Sequence, residues 1–100
     1  MTPYTTIFDG RARDDVSRAK RWYRKQSVHL AKRFNDELQR AVEELQDAPL
    51  RWREWRPQTR RYILHRFPYN LFYEVSGRQI VILALLHQQR DVNTRFPEDP

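Results

Sequence analysis

His65 and His87, with Arg61, Arg66 and Arg90 near them in the chain, are the residues of this 100-residue sequence best suited to chemistry. An imidazole can take a proton from an attacking hydroxyl or return one to a leaving oxygen, and guanidinium groups can hold the charge that gathers on a phosphorane. Such a set would serve cleavage of an RNA strand by its own 2'-hydroxyl. His87 also has a structural reading, because a histidine closing an apolar run can satisfy a carbonyl or a group such as Asp91 and fix the following turn. Neither metal nor cofactor is expected: His29 falls in a helical stretch, there is no cysteine, and no carboxylate sits at ligand spacing.

A second constellation is one of charge. The net charge is +6, and residues 51 to 66 hold six arginines (Arg51, Arg53, Arg56, Arg60, Arg61 and Arg66) against the single Glu54. Residues 1 to 50 carry ten basic and eight acidic groups, so the positive field is read as concentrated in that short segment, where a polyanionic or acidic partner would dock. Trp52 and Trp55 interleave with the arginines. Indole beside guanidinium can stack bases or anchor a protein, and it can equally cover the edge of a core beneath a long loop. Lys20, Arg21, Arg24 and Lys25 read as a solvated helix face, and Trp22 and Tyr23 as hairpin packing.

These groups need a frame. At 39% hydrophobic and 13% aromatic residues the chain is rich enough in apolar groups to build a core, and its length suits one domain of residues 1–100, with a core near 4–91 and a tail at 92–100. Lack of cysteine suits a reducing compartment, and the cytoplasm is the expected location. Residues 1 to 10 do not read as a signal peptide, and the longest apolar run, Ile80 to Leu86, falls far short of the roughly 20 residues a membrane helix needs.

Tyr4 to Phe8 reads as a strand ending at Asp9-Gly10. Ala12, Val16, Ala19 and Tyr23 then recur at helical spacing, Ser27 can cap a second helix, and Ala31, Phe34, Leu38, Ala41 and Leu45 form a second apolar stripe that ends before Pro49. Two helices joined so tightly should lie antiparallel. Arg60 to Phe67, Tyr69 to Val75 and Gln79 to His87 read as strands, with turns at Pro68 and Ser76-Gly77. The last has no polar face and is therefore expected to be central, with strand one pairing along its free edge in parallel. The expected fold is α+β, in the order β-α-α-β-β-β.

The stretch Arg60-Arg61-Tyr-Ile-Leu-His-Arg-Phe-Pro-Tyr-Asn-Leu-Phe-Tyr-Glu-Val75, followed by a glycine hairpin and Ile80 to Leu86-His87-Gln-Gln-Arg90-Asp91, resembles the RelE/ParE toxins. The resemblance covers roughly residues 4 to 91 and implies a helical hairpin on a small sheet. It also implies the toxin of a type II toxin–antitoxin pair, neutralised by a cognate antitoxin encoded beside it. Members of that superfamily cut messenger RNA on the ribosome or poison DNA gyrase. Under the nuclease alternative His65, His87, Arg61 and Arg90 would be catalytic, without a metal. Phe96, which lacks a hydroxyl, and the absence of lysine beyond residue 33 depart from the nuclease pattern. The reading taken here is the ParE-like, non-enzymatic one with gyrase as target. Arg51, Trp52, Arg53, Trp55, Arg56, Arg60, Arg61 and Arg66 are the candidate partner-binding residues, and a non-toxic nucleic-acid-binding module is a further alternative.

Overall fold

The computed structural model describes residues 3–89 and 92–97. In chain order it forms β1 (Thr5–Phe8), α1 (Gly10–Gln26), α2 (Val28–Asp47), β2 (Glu54–Arg56), β3 (Thr59–Ile63), β4 (Tyr69–Ser76), β5 (Gln79–His87) and α3 (Val92–Arg95). The sheet order is β1-β5-β4-β3-β2, with β1 parallel to β5 and the other neighbours antiparallel. The helical hairpin, the meander and the parallel first strand are as the sequence predicts. β2 and α3 are additions to it.

The helices form where capping and periodicity agree. Asp9 accepts the Arg11 N–H at the start of α1. Ser27 ends α1, its amide donating to Tyr23 O, and opens α2 by accepting the Leu30 N–H. One residue thus serves both helices and fixes the hairpin. Both predicted stripes point inward: Ala12, Ala19 and Tyr23 of α1 and Ala31, Phe34, Leu38, Ala41 and Leu45 of α2 are buried, and Val16 packs against them. Tyr23, Phe34, Phe67 and Tyr69 form an aromatic group with ring centroids 5.0 to 6.2 Å apart.

The sheet has a near face, under the helices, and a far face. Leu71, Tyr73, Ile80, Ile82 and Leu85 belong to the near core, whereas Phe72 and Ala84 belong to a second cluster with Phe96, joined by Trp55, Leu83, Leu86 and Val92. The switch on β5 from Ile82 to Leu85 comes from a bulge. Phe72 pairs with Ala84 and Tyr73 with Ile82, so Leu83 is an extra residue that shifts the strand's alternation. This is how an unbroken apolar run can feed two cores. Two-residue turns join β2 to β3 and β4 to β5, and the longer stretch of residues 64–68 joins β3 to β4. Gly77, at φ 59, takes the first central position of the β4–β5 hairpin, where a positive φ is required.

Residues 92–97, expected as a tail, instead form α3 and place Phe96 on the far face, 5.3 Å from Phe72 and 5.5 Å from Trp55. The far face is therefore partly covered rather than open. No helix among the described residues is long and apolar enough to cross a membrane.

Candidate partner-binding site

The arginine-rich segment begins after Pro49, whose carbonyl accepts the buried Tyr73 hydroxyl at 2.6 Å. Its residues part to opposite sides. Arg60 pairs with Tyr73, on the near face, while Arg61 pairs with Phe72, on the far face. The arginines thus share no common side. Arg60 Nη1 donates to Trp52 O at 2.6 Å and Leu50 O at 3.4 Å, closing the loop between α2 and β2. Arg51 lies over the Trp52 ring, and Trp52 packs on Tyr62 at 5.0 Å in the near core. Arg56 lies 5.6 Å from the Trp55 ring and 5.0 Å from that of Phe96, over the far cluster. Arg53, Arg61 and Arg66 are exposed. Each tryptophan therefore covers a core edge, and each carries an exposed guanidinium on its outer side, an arrangement in which stacking and packing coexist.

The histidines fall outside one constellation. β3 ends at Ile63, so His65 lies in the turn that follows, exposed, with its ring 6.1 Å from that of Tyr62. That turn is held by Leu64 N–H donating to Tyr69 O and by the buried Glu37 of α2, which accepts the Arg66 N–H at 2.9 Å. His87 pairs with Tyr69 and so shares the near face, with its Nδ1 accepting the Gln89 N–H. His87 and Arg61 consequently project from opposite faces of the sheet. Arg90, and Asp91 with it, lie outside the described residues. Among the described residues no group of histidines and carboxylates could hold a metal ion.

A third feature lies between α1 and the end of β5, a groove of about 1040 Å³ rimmed by Arg11, Arg18, Arg21, Lys25 and Arg95. At its base Asp15 is buried. It takes both Arg95 guanidinium nitrogens at 3.1 and 2.6 Å, Arg18 Nη2 at 2.8 Å and the Leu85 N–H at 3.0 Å. β1 reaches only as far as Ile82 on β5, so beyond that point the outer edge has no neighbouring strand among the described residues. Asp15 and Arg95, which donates to Leu83 O at 3.4 Å, supply it with partners. Burial pushes the Tyr23 hydroxyl, beside this groove, up to about 12.

Residues 6–92 match the family model of the ParE toxin of the type II toxin–antitoxin system, parDE. The chain belongs to the ParE toxin family. A solved structure, of the chromosomal ParDE TA system from P. aeruginosa, is similar to this ParE-family chain with a TM-score of 0.71. It is 19% identical over 84% of this chain and 95% of that one, a likeness of fold. No curated protein matches the chain in sequence. The chain is thus a ParE-like toxin in the RelE/ParE superfamily.

Sequence reasoning passed over Asp15 and Glu37 of this ParE-family fold, since each occupies a helix position that looks solvated until distant residues are placed. Apart from Arg18, the partners of Asp15 lie 70 to 80 residues away, and that of Glu37 lies 29 away. One signal was available: both fall at helical spacing from apolar residues, Asp15 three after Ala12 and four before Ala19, and Glu37 three after Phe34 and four before Ala41.

Proposed function

We infer that this ParE-family toxin acts in the cytoplasm on DNA gyrase, trapping it on cleaved DNA, and that it has no hydrolytic step of its own. A cognate antitoxin, acidic and encoded beside it, holds it inactive by covering the exposed arginines and tryptophan edges of residues 51 to 66. The similar solved structure is of a ParDE TA system, which supports an antitoxin as partner. The observation that carries the non-nucleolytic reading is the placement of Arg61 and His87 on opposite faces. A base and a phosphorane-stabilising cation must meet one phosphate within hydrogen-bonding reach, and for this pair the sheet lies between them. Phe96 supports the same reading, because it is committed to the far cluster.

Purified protein should inhibit supercoiling and accumulate gyrase-linked DNA breaks, and His65→Ala with His87→Ala should leave growth arrest intact. Indifference of gyrase, together with new messenger RNA ends that vanish in the double variant, would replace this reading with a ribosome-dependent endoribonuclease.

A further inference from the structure

The densest positive charge in the chain is not the arginine-rich segment. Residues 18 to 33 hold Arg18, Lys20, Arg21, Arg24, Lys25, Lys32 and Arg33 with no carboxylate among them. They span the last turns of α1, the single linking residue Ser27 and the first turns of α2, which is the tip of the helical hairpin. Six of the seven are exposed and Lys20 is half-buried. Of these seven, all among the described residues, only Arg18 is ion-paired, to Asp15. Trp22 stands in the middle of the cluster at 55% exposed, held edge-on against Tyr23.

We propose that this hairpin tip binds the phosphate backbone of DNA, with Trp22 as a stacking platform for an unpaired base. Three observations select a nucleic acid over an acidic protein segment. All three lysines of the chain are here. Lysine is depleted from the cores of protein interfaces, where its hydrated ammonium is costly to bury, yet it suits a phosphate as a point charge. The cations also surround the tip instead of lining one side: Arg18, Arg21 and Lys25 face the groove beside β5, Lys20 faces the opposite groove beside β1, and Lys32 and Arg33 belong to α2. A hairpin end that carries cations on both flanks fits a ligand whose charge lies along a strand on either side of it. Finally, a rigid exposed indole between cations is the arrangement that holds single strands without reading their sequence. The inference rests on the toxin reading only for its purpose, namely a second hold on DNA beside a DNA-bound target.

Binding is to be measured with the full chain alone, by anisotropy of a labelled oligonucleotide, duplex and single-stranded, over a range of salt. Contacts to about four phosphates would make log K fall with log salt at a slope near −3 to −4. Arg21→Ala/Arg24→Ala/Lys25→Ala, all at exposed positions, should make that slope shallower by about 2 to 3 and weaken binding at low salt at least tenfold. Arg53→Ala/Arg61→Ala/Arg66→Ala, in the other basic segment, should bind nearly as wild type. Trp22→Ala should weaken the single strand about fivefold or more while sparing the duplex. Thermal unfolding of each variant checks that the fold is kept. The proposal is overturned if the tip triple variant binds DNA like wild type, or if the control triple is the one that loses binding. Polyglutamate displacing the oligonucleotide at equal charge concentration would also overturn it, in favour of an acidic protein. No gyrase is present in this assay, so its failure and failure of the gyrase reading are separate results.

Discussion

Replacing Asp15 by alanine removes the acceptor of three donors at once, and the donors differ in what they lose. Arg18 is 63% exposed, so its pair with Asp15 contributes well under about 1 kcal/mol. Arg95 is 12% exposed against a carboxylate that is 2% exposed, and deleting the carboxylate leaves a nearly buried guanidinium without its counter-charge. Breaking a pair of that kind costs about 3 kcal/mol or somewhat more. The Leu85 amide, at the unpaired edge of β5, loses its acceptor as well, for roughly a further 1 kcal/mol. The expected loss is therefore about 3 to 5 kcal/mol, a large share of the 5 to 15 kcal/mol typical of a domain. Urea unfolding followed by circular dichroism should show it as a lower midpoint at unchanged slope. Arg18→Ala should cost less than about 0.5 kcal/mol. Adding Arg95→Met to Asp15→Ala should recover part of the loss, because the stranded charge goes with it. A loss below about 1 kcal/mol for Asp15→Ala, or equal losses for Asp15→Ala and Arg18→Ala, would refute the assignment of Asp15 as the anchor of α3.

Phe96→Ala should cost about 2 kcal/mol, less than a fully enclosed phenylalanine because its site lies at the sheet surface, and should bring Trp55 into contact with water, visible as a red shift of its fluorescence. High pH should weaken the fold. Burial pushes Tyr23 and Tyr73 up from 10.0 to about 12, so that each holds its proton in the folded chain after the unfolded chain has lost it. Their contribution is complete below pH 10 and is lost as the pH rises towards 12, on the order of 2 to 3 kcal/mol for each. Unfolding midpoints at about pH 9 and pH 11, read beside tyrosinate absorbance, check it, and a flat profile would contradict the burial of both hydroxyls.

The helices and the meander were legible in the sequence because their signals are local. Period-3.6 stripes, a capping serine, Pro49 and Ser76-Gly77 each act over a few residues, and all agree. β2 was not legible. It is three residues long, bulged at Trp55 and closed by Pro57, so it shows no alternation. The predicted strand over Arg60 to Phe67 stops four residues early, since the chain turns at Leu64 to meet Tyr69, and His65 leaves the sheet as a result. The arginines do not share one face for a simple reason: neighbours in a strand point to opposite faces, so proximity in sequence separates Arg60 from Arg61 rather than joining them. Counting charge over residues 1 to 50 likewise hid the tip of the hairpin, because the acids of that half lie outside residues 18 to 33.

The extra residue in β5 connects these observations. Without the bulge at Leu83, a regular strand whose Ile80 and Ile82 face the helices would next turn Ala84 to them and send Leu85 to the far side. With it, Leu85 returns to the near core, and its amide meets Asp15 where β1 has ended. The carbonyl of Leu83 is left at the same free edge, within reach of Arg95, and Arg95 in turn sets Phe96 beside Phe72 and Trp55. One bulge therefore leaves two polar gaps, one filled by Asp15 of α1 and the other by Arg95 of α3, and α3 with Phe96 covers the far face over Phe72 while Arg61 and Ile63 of β3 stay exposed. The open surface of this toxin is thus divided by its own C-terminal segment, and a partner on the far side must meet β3 and β2 or displace Arg95 from Asp15.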